Sequence, residues 1–187
     1  MSLTEQTIPL ATGTWTIDPV HSAVTFSVRH LGLAKVRGRF NDFSGSVTVS
    51  ETVADTVVVA EIDLASVDTN NADRDAHLLG SDFFDAATHP KMSFASTGVS
   101  GAAGEYSLDG HLTINGVTKP VSLDVEFFGA ETFPLDGSLR AGFSASGSIS
   151  RSEFGVSFEI PMGADKVAIG DKVSIELDIQ LVAPAAD

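Results

Sequence analysis

Tyr106-Ser107-Leu108-Asp109-Gly110-His111-Leu112-Thr113-Ile114-Asn115-Gly116-Val117-Thr118-Lys119-Pro120-Val121-Ser122-Leu123-Asp124-Val125-Glu126-Phe127 holds two alternating runs joined by Asn-Gly. In the first, Tyr106, Leu108, Gly110, Leu112 and Ile114 share one face, with Ser107, Asp109, His111 and Thr113 on the other. In the second, Val121, Leu123, Val125 and Phe127 oppose Ser122, Asp124 and Glu126. A period of two is the half-buried strand signal. Asn115-Gly116 is the dipeptide a two-residue type I′ hairpin prefers, because both positions need φ > 0. This stretch is therefore an antiparallel hairpin with one apolar face.

The same period extends outward in both directions. Leu139 to Ile149 and Val173 to Leu181 alternate cleanly, Val24, Phe26 and Val28 oppose Thr25, Ser27 and Arg29, and Val58 to Leu64 follow despite Val57 and Val59. Gly38 and Gly45 within 36–49 mark bulges or bends. Eight strands are expected near 22–31, 35–50, 55–65, 91–100, 104–115, 117–129, 138–150 and 172–183. One segment differs: Asn70 to Gly80 opens on capping residues, carries acids in its first turn and stops at Gly, which predicts a short helix. Ser81-Asp82-Phe83-Phe84-Asp85 is expected to add a 3₁₀ turn.

Consecutive hairpins with short turns favour an up-and-down barrel, which removes exposed sheet edges. The reading is an all-β, eight-stranded antiparallel lipocalin-like barrel over 13–183, preceded by a flexible segment at 1–12. Eight strands enclose an interior that side chains fill or that holds one small ligand. Gly110, Ala141, Ala145 and Gly147 among inward phenylalanines fit a cavity and fit the taper of a filled barrel equally well.

Composition narrows the function classes. Eleven Lys and Arg against 25 Asp and Glu leave a formal charge of −14, opposite to the basic footprint of a nucleic-acid binder. Nucleic acid and anionic membrane surfaces are thus poor partners, and the charge itself favours solubility. No apolar run approaches the roughly 18 residues of a membrane span, so no membrane insertion is expected. Met1 to Gln6 has no basic or apolar signal region, which points to a cytoplasmic protein. Cysteine is absent, so thiol chemistry is excluded.

His21, His30, His77, His89 and His111 show no zinc spacing. There is neither a G-x-S-x-G elbow nor a Gly-rich phosphate loop. No metal, no cofactor and no catalytic residue are therefore assigned. Arg74-Asp75-x-His77-Leu78 is the densest polar cluster. Arg74 and His77 are candidate contacts for a polar headgroup, and the competing reading pairs Arg74 with a barrel carboxylate. Asp18-Pro19-x-His21-Ser22 reads as a turn that launches the next strand. Arg151 to Gly155 reads as a loop anchor, with Phe154 plugging one end of the core.

The residues also resemble a known family, the YceI-like proteins, called polyisoprenoid-binding and lipocalin-like. The resemblance rests on Trp15-x-Ile17-Asp18-x-x-His21-Ser22-x-Val24-x-Phe26-x-Val28-Arg29-His30-Leu31-Gly32, then Gly38-Arg39-Phe40 and Ser66-Val67-Asp68-Thr69. It continues through Arg74-Asp75-x-His77-Leu78, Phe83-Phe84-Asp85, Pro90, Phe94-x-Ser96-Thr97, Gly110 to Val121 and Arg151-x-x-Phe154-Gly155. It implies an eight-stranded barrel with a helix over one side and a lumen for long-chain amphiphiles such as polyisoprenoid quinones. Many relatives carry a secretory signal, which this chain does not show.

The expectation is a binding protein, not an enzyme, that carries, stores or sequesters an isoprenoid-like lipid. Inward candidates are Phe26, Val28, Phe40, Phe94, Leu112, Phe127, Phe143, Leu177 and Ile179, each of which also reads as plain core. The alternatives are an enzyme acting on a lipid or stress metabolite through Arg74, Asp75 and His77, and a ligand-free stress-response interaction module. A homodimer through an outer face is compatible with all three.

Overall fold

The computed structural model describes residues 7–185. Its strands, in chain order, are β1 (Gly13–Ile17), β2 (Ala23–His30), β3 (Ala34–Phe40), β4 (Phe43–Val49), β5 (Val57–Asp63) and β6 (Val67–Asp68). After helix α1 (Ala72–Leu79) come β7 (Lys91–Ala102), β8 (Glu105–Ile114), β9 (Val117–Thr132), β10 (Leu139–Ser150) and β11 (Ile169–Val182).

These eleven strands make eight staves. β1 and β2 lie end to end along one edge of β11: Ile17 pairs with Leu181, and Ala23 with Asp178. The break between them is Asp18-Pro19, where Asp18 accepts from the Val20 amide at 3.0 Å and its carbonyl from the His21 amide at 3.3 Å. β3 continues into β4 in the same way, since β1 pairs with β4 and β2 with β3. β5 continues into β6 through a 3₁₀ turn at Leu64–Ser66. Each later strand pairs antiparallel with its predecessor, and the β1–β11 pairing closes the ring. The barrel is closed and all-β, as the alternation implies. Gly13–Ile17 is an added strand, because five residues before a turn are too few to display a period.

β8 follows the expected alternation, with Tyr106, Leu108, Gly110, Leu112 and Ile114 all buried. Asn115 and Gly116 adopt φ of 53° and 71°, the sign pattern of a type I′ turn. Helix α1 is capped by Asn71, whose side chain accepts from the Arg74 amide at 2.9 Å. Gly80 ends it with φ −75°, in extended and not left-handed geometry. The turn expected at 81–85 forms as one i→i+3 bond, Phe83 N–H to Gly80 carbonyl at 3.1 Å. Regular 3₁₀ helices lie elsewhere, at Val53–Asp55, Leu64–Ser66 and Arg151–Phe154.

Two packed clusters bracket the interior. At one end, Trp15 is fully buried among Val49, Val53, Tyr106, Ala141 and Leu181, and its indole N–H donates to Ala11 at 2.9 Å. Ile8 is buried in this cluster, and Leu10 packs against it; residues 1–6 of the segment expected to be flexible lie outside the described residues. At the other end, Phe40, Leu64, Val67, Phe83, Met92, Leu112, Ile114, Phe154 and Val156 pack beneath α1 and the loop that follows β10. Among the described residues no helix is long and apolar enough to cross a membrane.

Candidate functional site

Between the two clusters runs a cavity of about 530 Å³, lined by side chains from every strand except β6. That volume lies within the range of small-molecule sites. Its lining is almost wholly apolar because inward positions on all staves are mostly Val, Ile, Leu and Phe. Phe26, Val28, Phe40, Phe94, Leu112, Phe143, Leu177 and Ile179 line it, as do Arg74 and His77. Phe127 does not line it. Its ring packs on Phe143 at 4.9 Å within the closed-end cluster. Alternation correctly put Phe127 on the inner face, but depth along the strand, which alternation does not encode, placed it behind Phe143.

The inward glycines make room for neighbouring side chains. A Cβ on Gly110 would lie 2.3 Å from the Phe94 ring, one on Gly38 2.3 Å from the Phe26 ring, and one on Gly147 2.7 Å from Leu123. These glycines let a neighbouring side chain lie flat across the sheet, and an aromatic covering a cross-strand glycine supports strand register. Ala145 does line the lumen, and on β10 it is the small residue that leaves volume there.

The exposed part of the lining gathers at the α1 end. Of the lining residues six are exposed: Arg29, His30, Arg74, His77 and Ile160 come from the β2 terminus, α1 or the loop after Phe154, and Ser44 alone from the wall, on β4. We call the α1 end the mouth. His77 stands there between two rings, 5.0 Å from Phe83 and 5.1 Å from Phe158, and its Nε2 lies 2.8 Å from Asp82.

Arg74 and Asp75 both turn onto Thr69. The Arg74 guanidinium donates to the Thr69 hydroxyl at 2.7 Å and carbonyl at 2.6 Å. Asp75 accepts from the Thr69 amide at 2.9 Å and hydroxyl at 2.5 Å. The expected pairing of Arg74 with a barrel carboxylate is thus replaced by a local clamp that fixes the start of α1. Asp75 is not part of the lining, so Arg74, Asp75 and His77 do not converge on the lumen. Arg74 retains donors at the mouth, since a guanidinium carries five N–H groups and two are used here.

Arg151 is the residue whose role the sequence understated. It is buried, and its five donors are all engaged: carbonyls of Gly170, Val156, Phe158 and Ile169 at 2.7–3.2 Å, and the Glu159 carboxylate at 2.8 Å. It stitches 156–170 over the barrel rim, and Phe154 beside it is almost fully buried. Asp171, close by, stays below its usual carboxylate range: burial raises it, but bonds from Ser150 and Ser152 outweigh that.

On the outer wall, His21 and Arg140 share Asp18, and Arg140 lies 4.6 Å over the Phe133 ring. Asp18 is held below its ordinary value, first by His21, with burial opposing and Val20 and Arg140 assisting. This cluster braces the β1–β2 kink.

Comparison with known proteins follows the same outline. The YceI-like domain model matches residues 15–181. The UPF0312 protein of Pectobacterium carotovorum is 40% identical over 151 residues, 80% of this chain and 78% of that protein. A UPF0312 protein of Yersinia pestis matches equally, at 40% over the same shares. Among solved structures, Burkholderia cenocepacia BcnA superposes with a TM-score of 0.76 at 26% identity, covering 90% of this chain and 99% of that one. The Campylobacter jejuni YCEI protein gives 0.71 at 29%, covering 84% and 90%. A polyisoprenoid-binding domain from Saccharophagus degradans shares the fold at 0.65 and 17%, covering 91% and 98%.

Proposed function

We propose that this chain, which belongs to the YceI-like domain family, holds one long-chain amphiphile in its lumen with the polar end toward the mouth. The observation that carries the reading is the apolar cavity of about 530 Å³, five of whose six exposed lining residues gather at one end. Each buried methylene contributes about 0.8 kcal/mol, so about ten contribute on the order of 8 kcal/mol before ordering costs. Affinity can therefore come from the tail with little polar chemistry. A polyisoprenoid is the favoured tail, in keeping with the name borne by the Saccharophagus degradans relative. Arg74, through its free donors, and His77 are the groups placed to meet its head. The role is binding for carriage, storage or sequestration, and the local engagement of Arg74 and Asp75 favours it over catalysis.

Polyprenols of increasing length provide the test. Affinity, read by native mass spectrometry, should rise with chain length and level off once the lumen is filled. Ala145→Phe should lower the plateau affinity at least about tenfold, while overpacking costs about 1–3 kcal/mol of stability. No co-purifying lipid together with no polyprenol binding would sink the reading.

A further inference from the structure

We infer that the mouth docks on an anionic lipid bilayer through the β2–β3 hairpin and the adjoining 160–167 hairpin. Residues 19–41 contain four Lys and Arg and no Asp or Glu; the rest of the chain carries the other seven basic residues and all 25 acidic ones. Arg39 lies opposite Asp68 across the β3–β6 pair. Arg29, Lys35 and Arg37 are exposed and, among the described residues, form no salt bridge. Arg29 stands directly opposite Lys35. Like charges facing across a strand pair are destabilising, so this arrangement has a cost that a negative surface would offset.

The tip between these cations is apolar. Leu31 and Leu33 flank Gly32, and Leu33 is 80% exposed. The Leu33 amide bonds to the His30 carbonyl at 3.0 Å, and Leu31 and Gly32 have φ of 55° and 67°. That is the same turn sign pattern as at Asn115-Gly116, with leucine where asparagine is preferred. A non-glycine side chain in left-handed backbone is strained. The Leu31 amide also donates to Ala168 at 2.8 Å, which joins this tip to the second hairpin, where Pro161 bridges to Val167. Ile160, Met162 and Val167 are exposed there beside Lys166. Two strained or irregular tips thus present apolar residues around the opening, the first flanked by Arg29, Lys35 and Arg37 and the second carrying Lys166 beside Asp165.

The overall charge of −14 does not oppose this. At roughly 3.3 Å per residue the 14-residue β11 spans about 45 Å. Charges at the far end sit several Debye lengths away, each about 8–10 Å in physiological salt. Of the nearby acids, Asp171 is engaged by Ser150 and Ser152 and Glu159 by Arg151, while Asp165 in the second hairpin is exposed and offset by its neighbour Lys166, leaving Arg29, Lys35 and Arg37 as the local excess. Each cation at an anionic surface strengthens binding about fivefold. A docked mouth has a surface from which to take or deliver a lipid, and docking by charge and exposed leucines holds whether or not the lumen is occupied.

Sedimentation with vesicles of phosphatidylcholine alone and of phosphatidylcholine with phosphatidylglycerol tests it. The protein should bind the mixed vesicles, and binding should fall as salt rises. Lys35→Glu with Arg37→Glu should weaken it by at least about tenfold. Leu33→Ser should weaken binding without lowering the melting temperature, because its side chain is exposed. Leu31→Asn should do the same while raising the melting temperature by about 2 °C through relief of the turn. No binding to mixed vesicles, or binding unchanged in the Lys35/Arg37 variant, overturns the proposal. So does a dimer seen by sedimentation equilibrium that Leu33→Ser dissociates, since the tip would then pair with a second copy. Polyprenol binding, measured separately in the same variants, shows whether the lumen reading stands.

Discussion

Trp15 at the closed end is fully buried among Val49, Ala141 and Leu181, strand residues that meet by register, and it makes one hydrogen bond. Arg151 at the mouth is almost as buried but makes five, two of them to loop carbonyls of Val156 and Phe158 and two to Ile169 and Gly170 at the start of β11. The closed end is therefore sealed by apolar packing and the mouth by a polar clamp. The turns repeat the contrast. Asn115-Gly116 and Leu31-Gly32 have the same φ signs at the same end of the barrel. The first is packed, with the Asn115 amide near the Phe154 carbonyl, and the second is bare. Where a region only has to fold, its residues match the local conformation; around the opening they depart from it.

Three experiments press on this contrast. Trp15→Ala should lower unfolding free energy by about 3–5 kcal/mol as a single global transition in urea. Arg151→Met should cost about 3 kcal/mol by stranding Glu159 and four carbonyls, and the loss should show first as faster proteolysis within 156–168. If both variants lose stability only globally, the two ends are not built differently.

Glycine substitutions sharpen the contrast on a smaller scale. Gly116→Ala should cost about 2 kcal/mol, since its Cβ meets the His89 ring at 2.7 Å on top of a φ of 71°. Gly32→Ala has the φ strain but nothing within 4 Å, and should cost about 1 kcal/mol by denaturant titration. Equal losses would mean the packed turn is no more constrained than the bare one.

The smallest effect is expected at Asp18, on the closed-end wall. Its native carboxyl titrates below the unfolded value of about 3.9. Ionisation therefore favours the folded state above that pH, and the contribution is lost as pH falls through the lower native value. Asp18→Asn should be less stable than wild type at neutral pH, and the gap in urea midpoint should close in stronger acid. A gap that persists there would show that Asp18 acts by shape and not by charge.

Much of the fold was legible in advance because a strand's period is written in consecutive residues. The eight staves, the Asn115-Gly116 hairpin, the capped helix and the Arg151–Phe154 anchor could be read this way. The site was less legible. Phe127 has the right parity, but how deep it sits depends on the β9–β10 bulge between Gly142 and Phe143, a property of two strands together. Gly110 and Gly147 fitted a cavity as well as a taper, yet the Phe94 ring covers the first and Leu123 the second. The net charge is equally uninformative about place, since a sum over the chain hides that four of the eleven cations gather in 19–41.

By itself, the sequence determined the class of the barrel and its inner and outer faces, because alternation and turn chemistry act over a few residues, while its ordered motifs carried the family resemblance. Tertiary structure alone decided which inward residues leave a lumen, that Arg74 and Asp75 grip Thr69, and that unpaired cations and bare leucines share one rim. Those outcomes depend on atoms brought together from distant parts of the chain, where packing and charge are set by neighbours that local sequence does not specify.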